Sequence, residues 1–327
     1  MSKPIVLVTR KIPEAGIDFL KQLCEVRGAT EATPIDHETL MKSISDVDAL
    51  LCLLTDTIDH AVIEAGSRLK VISNYAVGFD NIDVEAATER GIMVTNTPGV
   101  LTEATAELTW ALIFAVARKI VPADKYVRDH QFSGWDPLLM LGYEIHGKTL
   151  GIIGMGRIGQ AVAQMSVGFG MNIVYHDCQS PKLDLGSSVR SVTLEELGQL
   201  ADIITIHVPL TPQTHHLCDA DFFRLCKPGA LFINTARGPV VDEEALVEAL
   251  KERILAGAGL DVYEHEPAVH PGLFELPNVV LLPHIGSATY HTRTNMALRA
   301  AQNIIDAVTG KRPAYLVNPA VLNKLAL

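Results

Sequence analysis

The chain has 327 residues, 48% of them hydrophobic, with 38 acidic against 27 basic side chains and a formal charge of −11. That length predicts two domains with sizeable cores. The acidic balance excludes nucleic acid and anionic membrane as general partners, and no apolar run reaches the length that spans a bilayer. Five cysteines, Cys24, Cys52, Cys178, Cys218 and Cys226, show neither paired nor metal-ligand spacing. They predict free thiols in a reducing compartment, three of them as small core residues, and no metal. The apolar start, Ile5-Val6-Leu7-Val8, is too short for a signal peptide, so the expectation is a cytoplasmic protein.

In chain order, Ile5–Thr9 reads as a strand and Glu14–Cys24 as a helix with Ile17, Leu20 and Cys24 on one face. Ala49–Leu54, Val71–Ser73 and Met93–Asn96 are short apolar runs stopped by polar or Pro-Gly turns, hence buried parallel strands. This first block is a small α/β unit without a phosphate-type glycine turn. Thr102–Arg118 reads as a long helix with Thr102 as N-cap and Glu103 and Glu107 near its positive end. The segment 130–144 reads as an irregular arm, yet it carries Trp135, Leu138, Leu139, Met140 and Leu141. So much apolar surface on a loop predicts a covered face, and with the preceding helix a two-fold dimer interface.

The most informative stretch follows. Thr149-Leu150-Gly151-Ile152-Ile153 is a strand feeding Gly154-Met155-Gly156-Arg157-Ile158-Gly159, then a helix-forming run and a second strand, Asn172–Tyr175, ending at His176-Asp177. That is a complete dinucleotide unit. Gly154 permits the tight turn, Gly156 the approach of a pyrophosphate, and Gly159 close packing of helix on strand. The helix N-terminus offers unpaired N–H groups to the phosphates. Asp177 suits the adenosine ribose hydroxyls and repels a 2′-phosphate, and no basic residue follows until Lys182. The reading is therefore NAD, with NADH preferred over NADPH.

Further strands are predicted at 203–207, 230–234, 256–260 and 279–282, and a last helix over 290–309 can return the chain to the first block. The expected division is residues 1–100 with 287–327 as a discontinuous substrate domain, and 101–286 as the dinucleotide domain. Ligands in such sheets sit at the carboxyl ends of the strands. Three groups there are suited to chemistry. Arg237, in Thr235-Ala236-Arg237-Gly238, can hold a carboxylate through two parallel hydrogen bonds. His284, between Pro283 and Ile285-Gly286, is placed for proton transfer, a placement shared only with His207 among the histidines. Glu266, beside Glu264 and His265, can raise the pKa of an imidazole and aim it. Taken singly, each residue also fits a structural role: Arg237 as a strand-end cap, His284 as a core histidine, and Glu264 and Glu266 as solvated loop charges. His215, His216, His265 and His270 read as loop residues. Asp261, nearer its strand end, suits the nicotinamide side of the cofactor.

Together these motifs make the chain resemble the NAD(P)-dependent D-2-hydroxyacid dehydrogenases, and within them the glyoxylate/hydroxypyruvate reductases. The resemblance rests on Asn74-Tyr75-Ala76-Val77-Gly78-Phe79-Asp80, Asn96-Thr97-Pro98-Gly99-Val100, Gly154 to Gly159, His207-Val208-Pro209-Leu210-Thr211, Asn234-Thr235-Ala236-Arg237-Gly238, Gly259-Leu260-Asp261-Val262 and Pro283-His284-Ile285-Gly286-Ser287. It covers essentially the whole chain. It implies an α/β fold of two doubly wound parallel sheets, one a Rossmann-type dinucleotide domain and the other flavodoxin-like. It implies Arg237, Glu266 and His284 as the catalytic residues. Cofactor contacts would fall on Thr105, Gly154, Gly156, Arg157, Ile158, Gly159, Asp177, His207, Pro209, Thr214, Thr235, Ala236, Arg237, Asp261, His284 and Gly286. Substrate contacts would fall on Leu53, the backbone of Val77 and Gly78, Arg237 and His284. Many glyoxylate reductases carry Arg at the position of Asp177 and use NADPH, so that cofactor is not carried over. The implied reaction is hydride transfer between NAD(H) and C2 of a small 2-keto or 2-hydroxy acid. Alternatives within the fold are a 2-ketogluconate or other 2-keto acid reductase and a phosphite oxidase; the latter would have Lys in place of Val77. A dinucleotide-sensing binding protein resembling the C-terminal-binding co-repressors is the non-enzymatic alternative.

Overall fold

The computed structural model describes residues 3–28, 30–179 and 189–325, and Lys182 lies outside them. The chain divides into two compact units, residues 1–101 with 287–327, and residues 102–286.

The first unit carries β1 (Ile5–Val8), α1 (Glu14–Lys21), β2 (Glu25–Gly28), α2 (His37–Ser43), β3 (Ala49–Cys52), α3 (His60–Ala65), β4 (Val71–Asn74), α4 (Val84–Glu89) and β5 (Met93–Thr95). The sheet order is β2-β1-β3-β4-β5, every pair parallel. This is the flavodoxin-like winding, with its switch point between β1 and β3. β3 and β4 are buried along their whole length; β3 reads as an unbroken apolar run, and β4 ends in the buried polar pair Ser73-Asn74. Asp36, Asp59 and Asp83 cap α2, α3 and α4 by accepting from backbone N–H groups in the first turn.

The second unit begins with α5 (Thr102–Ala117) and α6 (Ile120–Arg128). Its sheet is built from β6 (Thr149–Ile153), β7 (Asn172–His176), β8 (Val189–Ser191), β9 (Ile203–Ile206), β10 (Ala230–Asn234), β11 (Leu255–Leu260) and β12 (Val279–Leu281). The helices α7 (Arg157–Ser166), α8 (Leu194–Leu200), α9 (Ala220–Leu225), α10 (Glu243–Lys251) and α11 (Pro271–Phe274) alternate with these strands. The order is β12-β11-β10-β9-β6-β7-β8, all parallel. The sheet therefore reverses direction between β6 and β9, the Rossmann winding extended by one strand.

The chain then returns to the first unit as α12 (Tyr290–Val308), capped by Thr289, and ends in α13 (Leu322–Leu325). α12 lies against α1, β3 and β4. Ser73 Oγ donates to Ala300 O at 3.0 Å and Tyr75 Oη to Arg293 O at 2.7 Å.

Several details differ from the sequence expectations. α1 stops at Lys21, short of Cys24, and Thr102 is the first helical residue of α5 rather than its cap. Four cysteines are buried rather than three, and only Cys178 is exposed. β2, β8, α2–α4, α6, α8–α11 and α13 are additional elements. β2 and β8 are edge strands with polar sequences, and α6 follows Lys119 in the left-handed region (φ 52°) and has no buried residue. The segment 130–144 is irregular and open, with Trp135 85%, Leu138 76% and Leu141 61% exposed.

Candidate active site

The glycine turn closes the strand end of β6. Gly154 has φ +94°, and a Cβ there would lie 2.7 Å from the His207 carbonyl carbon and from Val208 Cγ1. A Cβ at Gly159 would lie 2.1 Å from Gly154 O, so α7 sits on the turn with no room for a side chain. Gly156 is different: nothing stands within 4 Å of its missing Cβ. It is the N-cap of α7 and provides no side-chain cap, so the first-turn N–H groups, including those of Arg157 and Ile158, face an open cradle. A pyrophosphate fits this geometry on both steric and electrostatic grounds.

Asp177 follows β7 directly. Its Oδ2 accepts from Met155 N at 2.6 Å and its Oδ1 from Gln179 N at 2.8 Å. The carboxylate thus fastens the glycine turn to the end of β7, a bond no spacing rule reveals. It retains acceptor capacity for two ribose hydroxyls, since an ionised carboxylate offers about four lone-pair sites.

Other cofactor positions of the sequence reading line the same strand ends. His207 follows β9, with its backbone against Gly154. Both ring nitrogens are buried without a partner among the described residues, and burial pushes the ring's pKa down to about 3, so it is neutral. An unpartnered neutral imidazole at this edge fits a neighbouring ligand group. Thr214 Oγ donates to Pro209 O at 2.7 Å and folds that loop. After β10, Ala236 N donates to Asn234 Oδ1, and Thr235 Oγ pairs with Thr109 Oγ on α5 at 2.9 Å. A Cβ on Gly286 would meet Asp261 Oδ2 at 3.2 Å and the Thr105 side chain at 3.5 Å, so these three residues share one spot.

Arg237, Glu266 and His284 follow the adjacent strands β10, β11 and β12, all within the second unit. His284 Nδ1–H donates to Glu266 Oε2 at 2.9 Å, with 26% and 29% of the two side-chain surfaces exposed. Nε2 makes no hydrogen bond among the described residues. Glu266 Oε1 accepts from Tyr263 N at 3.1 Å. Burial alone would raise the Glu266 carboxyl. The hydrogen bond and charge of His284, the Tyr263 N–H and the charge of Arg237 together outweigh it and hold the pKa below the usual range. Glu266 is therefore an ionised partner of the histidine, not a solvated loop charge. His284 itself sits at φ 54°. The following N–H groups, of Ile285 and Gly286, both donate to Asp261 at 2.7 Å, which holds this left-handed corner in place. Burial raises the Asp261 pKa despite these bonds.

Sequence reasoning missed a brace beneath Glu266. Glu264 is not a solvated charge either. It accepts from Glu243 N at 3.1 Å while its own N–H donates to Glu243 Oε1 at 2.8 Å, and His216 Nε2 lies 2.7 Å from Glu264 Oε1. Burial works to raise the Glu264 carboxyl, but the Glu243 N–H and His216 prevail and lower it. A Cβ on Gly238 would overlap the Tyr263 carbonyl at 1.8 Å, so the segment after Arg237 is pressed directly on the segment that carries Glu266. Only the pairing of Gly238 with Arg237 and of Glu264 with Glu266 in sequence hinted at this.

In the first unit, Leu53 follows β3 and Val77-Gly78 follow β4, on neighbouring parallel strands.

A doubly wound parallel sheet with an open glycine cradle at its reversal, and an Arg, Glu and His on three successive strand ends, defines a dinucleotide-dependent oxidoreductase. Comparison with known proteins specifies it further. The profile described as "D-isomer specific 2-hydroxyacid dehydrogenase, NAD binding domain" matches residues 110–286. The glyoxylate reductase of Thermococcus onnurineus is 48% identical over 326 residues, covering 98% of each chain. The crystal structure of a glyoxylate reductase from Paecilomyes thermophila superposes with a TM-score of 0.87 at 33% identity, covering 97% of this chain and 99% of that one. An NADPH-dependent glyoxylate/hydroxypyruvate reductase from Sinorhizobium meliloti, solved with NADP and malonate, gives 0.88 at 32% identity over 98% of both chains. The chain belongs to the D-isomer specific 2-hydroxyacid dehydrogenase family. It is an NAD(P)-binding oxidoreductase acting on CH–OH donors.

Proposed function

We propose that this protein is an NADH-preferring glyoxylate/hydroxypyruvate reductase. The observation that carries the reading is the 2.9 Å bond between His284 Nδ1 and an ionised Glu266, beside Arg237. The cofactor, when bound, supplies the hydride that C2 of the keto acid receives. Arg237 holds the substrate carboxylate and polarises the C2 carbonyl. Protonated His284 gives the proton on Nε2 to the oxygen of C2 as that oxygen gains negative charge, and is left neutral. Glu266 stabilises the imidazolium and keeps Nε2 aimed outward. Within the first unit, the backbone N–H groups of Val77 and Gly78 suit a carboxylate and Leu53 offers an apolar side chain. Asp177 supports NADH over NADPH by its charge.

The test is an absorbance assay of NADH and NADPH oxidation with glyoxylate, hydroxypyruvate, pyruvate and 2-ketogluconate. Fastest turnover of glyoxylate or hydroxypyruvate with NADH is expected. A clear preference for 2-ketogluconate would transfer the reading to the longer acids.

The native assembly is proposed to be a cytoplasmic homodimer whose two-fold interface covers Trp135, Leu138 and Leu141 with α5, since apolar groups this exposed cluster at contacts. Light scattering at micromolar concentration should give twice the 35.4 kDa chain mass. The double variant Trp135→Glu, Leu138→Glu should fall to one chain mass, and a monomeric wild type would remove the idea.

A further inference from the structure

Three asparagines in the first unit are tied to the backbone of the two loops that follow β3 and β4. Asn96 Nδ2 donates to Val77 O at 2.7 Å. Asn74 Nδ2 donates to Gly78 O at 2.8 Å and to Asn81 Oδ1 at 3.0 Å. Asn81 Nδ2 in turn donates to Leu53 O at 3.1 Å and Asp56 O at 3.0 Å. A carbonyl only accepts, so each amide nitrogen must face its carbonyl, and that fixes which way every one of these side chains points. Thr97 N completes the frame by donating to Ala76 O at 2.8 Å.

A trans peptide sets its N–H opposite its C=O. Holding Ala76 O therefore aims the Val77 N–H, and holding Val77 O aims the Gly78 N–H, in each case away from the frame. Neither N–H donates to any acceptor among the described residues. Both residues are only partly buried, whereas Asn74 is fully buried. Partly exposed, both N–H groups are open to water or to a ligand that displaces it. A carboxylate is an acceptor of the right charge and shape.

We infer that Asn96, Asn74 and Asn81 are positioning residues for the substrate carboxylate. Asn96 acts directly, by fixing the Val77–Gly78 peptide whose N–H is that of Gly78, while Asn74 and Asn81 act one step back, by holding the Gly78 carbonyl and tying it to the Leu53 loop. This rests on the reading that those two N–H groups take a 2-keto acid carboxylate, and it names the side chain that aims the Gly78 N–H and the two that hold the loop behind it.

Asn96→Leu tests it, since it is close in shape, neutral, and lacks the donor. The Asn96 backbone is held independently, by Tyr315 O on its N–H and Asn303 Nδ2 on its carbonyl, so the fold around it survives. Losing one orienting hydrogen bond should raise the KM for glyoxylate about tenfold, with a smaller fall in kcat and an unmoved NADH dissociation constant by fluorescence. Asn81→Ala, at the far end of the frame, should act in the same direction. A second readout needs no turnover: thermal stabilisation by oxamate in the presence of NADH, expected in the wild type and lost in Asn96→Leu. Folded variants with unchanged KM and an unchanged oxamate shift overturn the inference, as does an equal weakening of NADH and keto acid. A wild type that turns over no keto acid overturns the proposed function instead. The oxamate shift then judges the asparagine frame on its own, for it if Asn96→Leu loses the shift and against it if the shift persists or is absent from the wild type.

Discussion

Replacing His284 by Ala lowers the maximal rate of keto-acid reduction by about 10²–10⁴-fold, the usual contribution of a positioned general acid. NADH binding falls much less than the rate, because the glycine turn and Asp177, which hold the phosphates and the adenosine ribose, lie on other strand ends. The more discriminating companion is Glu266→Gln. Reduction consumes the imidazolium, so its rate falls as pH rises, while oxidation needs the neutral ring and runs the other way. Removing the carboxylate charge withdraws support from the imidazolium. The falling limb of the reduction profile therefore moves to lower pH. An unmoved profile would show that the 2.9 Å pair is only structural. The pair also bears on stability. The Glu266 pKa is lowered on folding, so its contribution is fully present above the ordinary carboxylate range. It is lost as pH falls through the depressed value.

Asp177→Ala should weaken NADH by about 10- to 100-fold, the loss of one or two hydrogen bonds to a charged acceptor. NADPH should change little, because relief of repulsion at the 2′-phosphate is offset by a second loss. The same carboxylate holds Met155 N at 2.6 Å, so its removal also loosens the turn that cradles the phosphates. The ratio of KM values for the two cofactors checks this. A wild type that already turns over faster with NADPH would refute the reading of Asp177.

Both sheets were legible in the sequence wherever strands are buried on two faces. β3, β9 and β10 are wholly or almost wholly apolar runs, as expected of strands buried on both faces, whereas β4 stays buried although its second half is Ser73-Asn74. β2 and β8 escaped notice because an edge strand is exposed and polar, so Glu25-Val26-Arg27-Gly28 carries no apolar signal. α6 escaped because none of its residues is buried and Pro122 stands in its first turn. At the site, residues whose type is dictated by local geometry stood out: the glycines, Arg237 and His284. Bonds between distant segments did not. The brace of Glu243, Glu264 and His216, the fastening of Met155 to Asp177 and the asparagine frame join residues 48, 22 and 19 positions apart in their side-chain bonds. No periodicity encodes such pairings.

The return of α12 to the first unit sets an order of events during synthesis. Gly16 packs so tightly on α12 that a Cβ there would lie 2.7 Å from that of Ala297, and Ser73 and Tyr75 at β4 bond the same helix. The strands of the first unit thus wait for α12, whose Ala300 lies 227 residues after Ser73, while residues 102–286 hold all the strands of their own sheet as soon as they leave the ribosome. The middle of the chain matures before its beginning. Until α12 has been made, the face of β3 and β4 on which it packs lacks its cover, and that interval is when the nascent chain most needs chaperone protection.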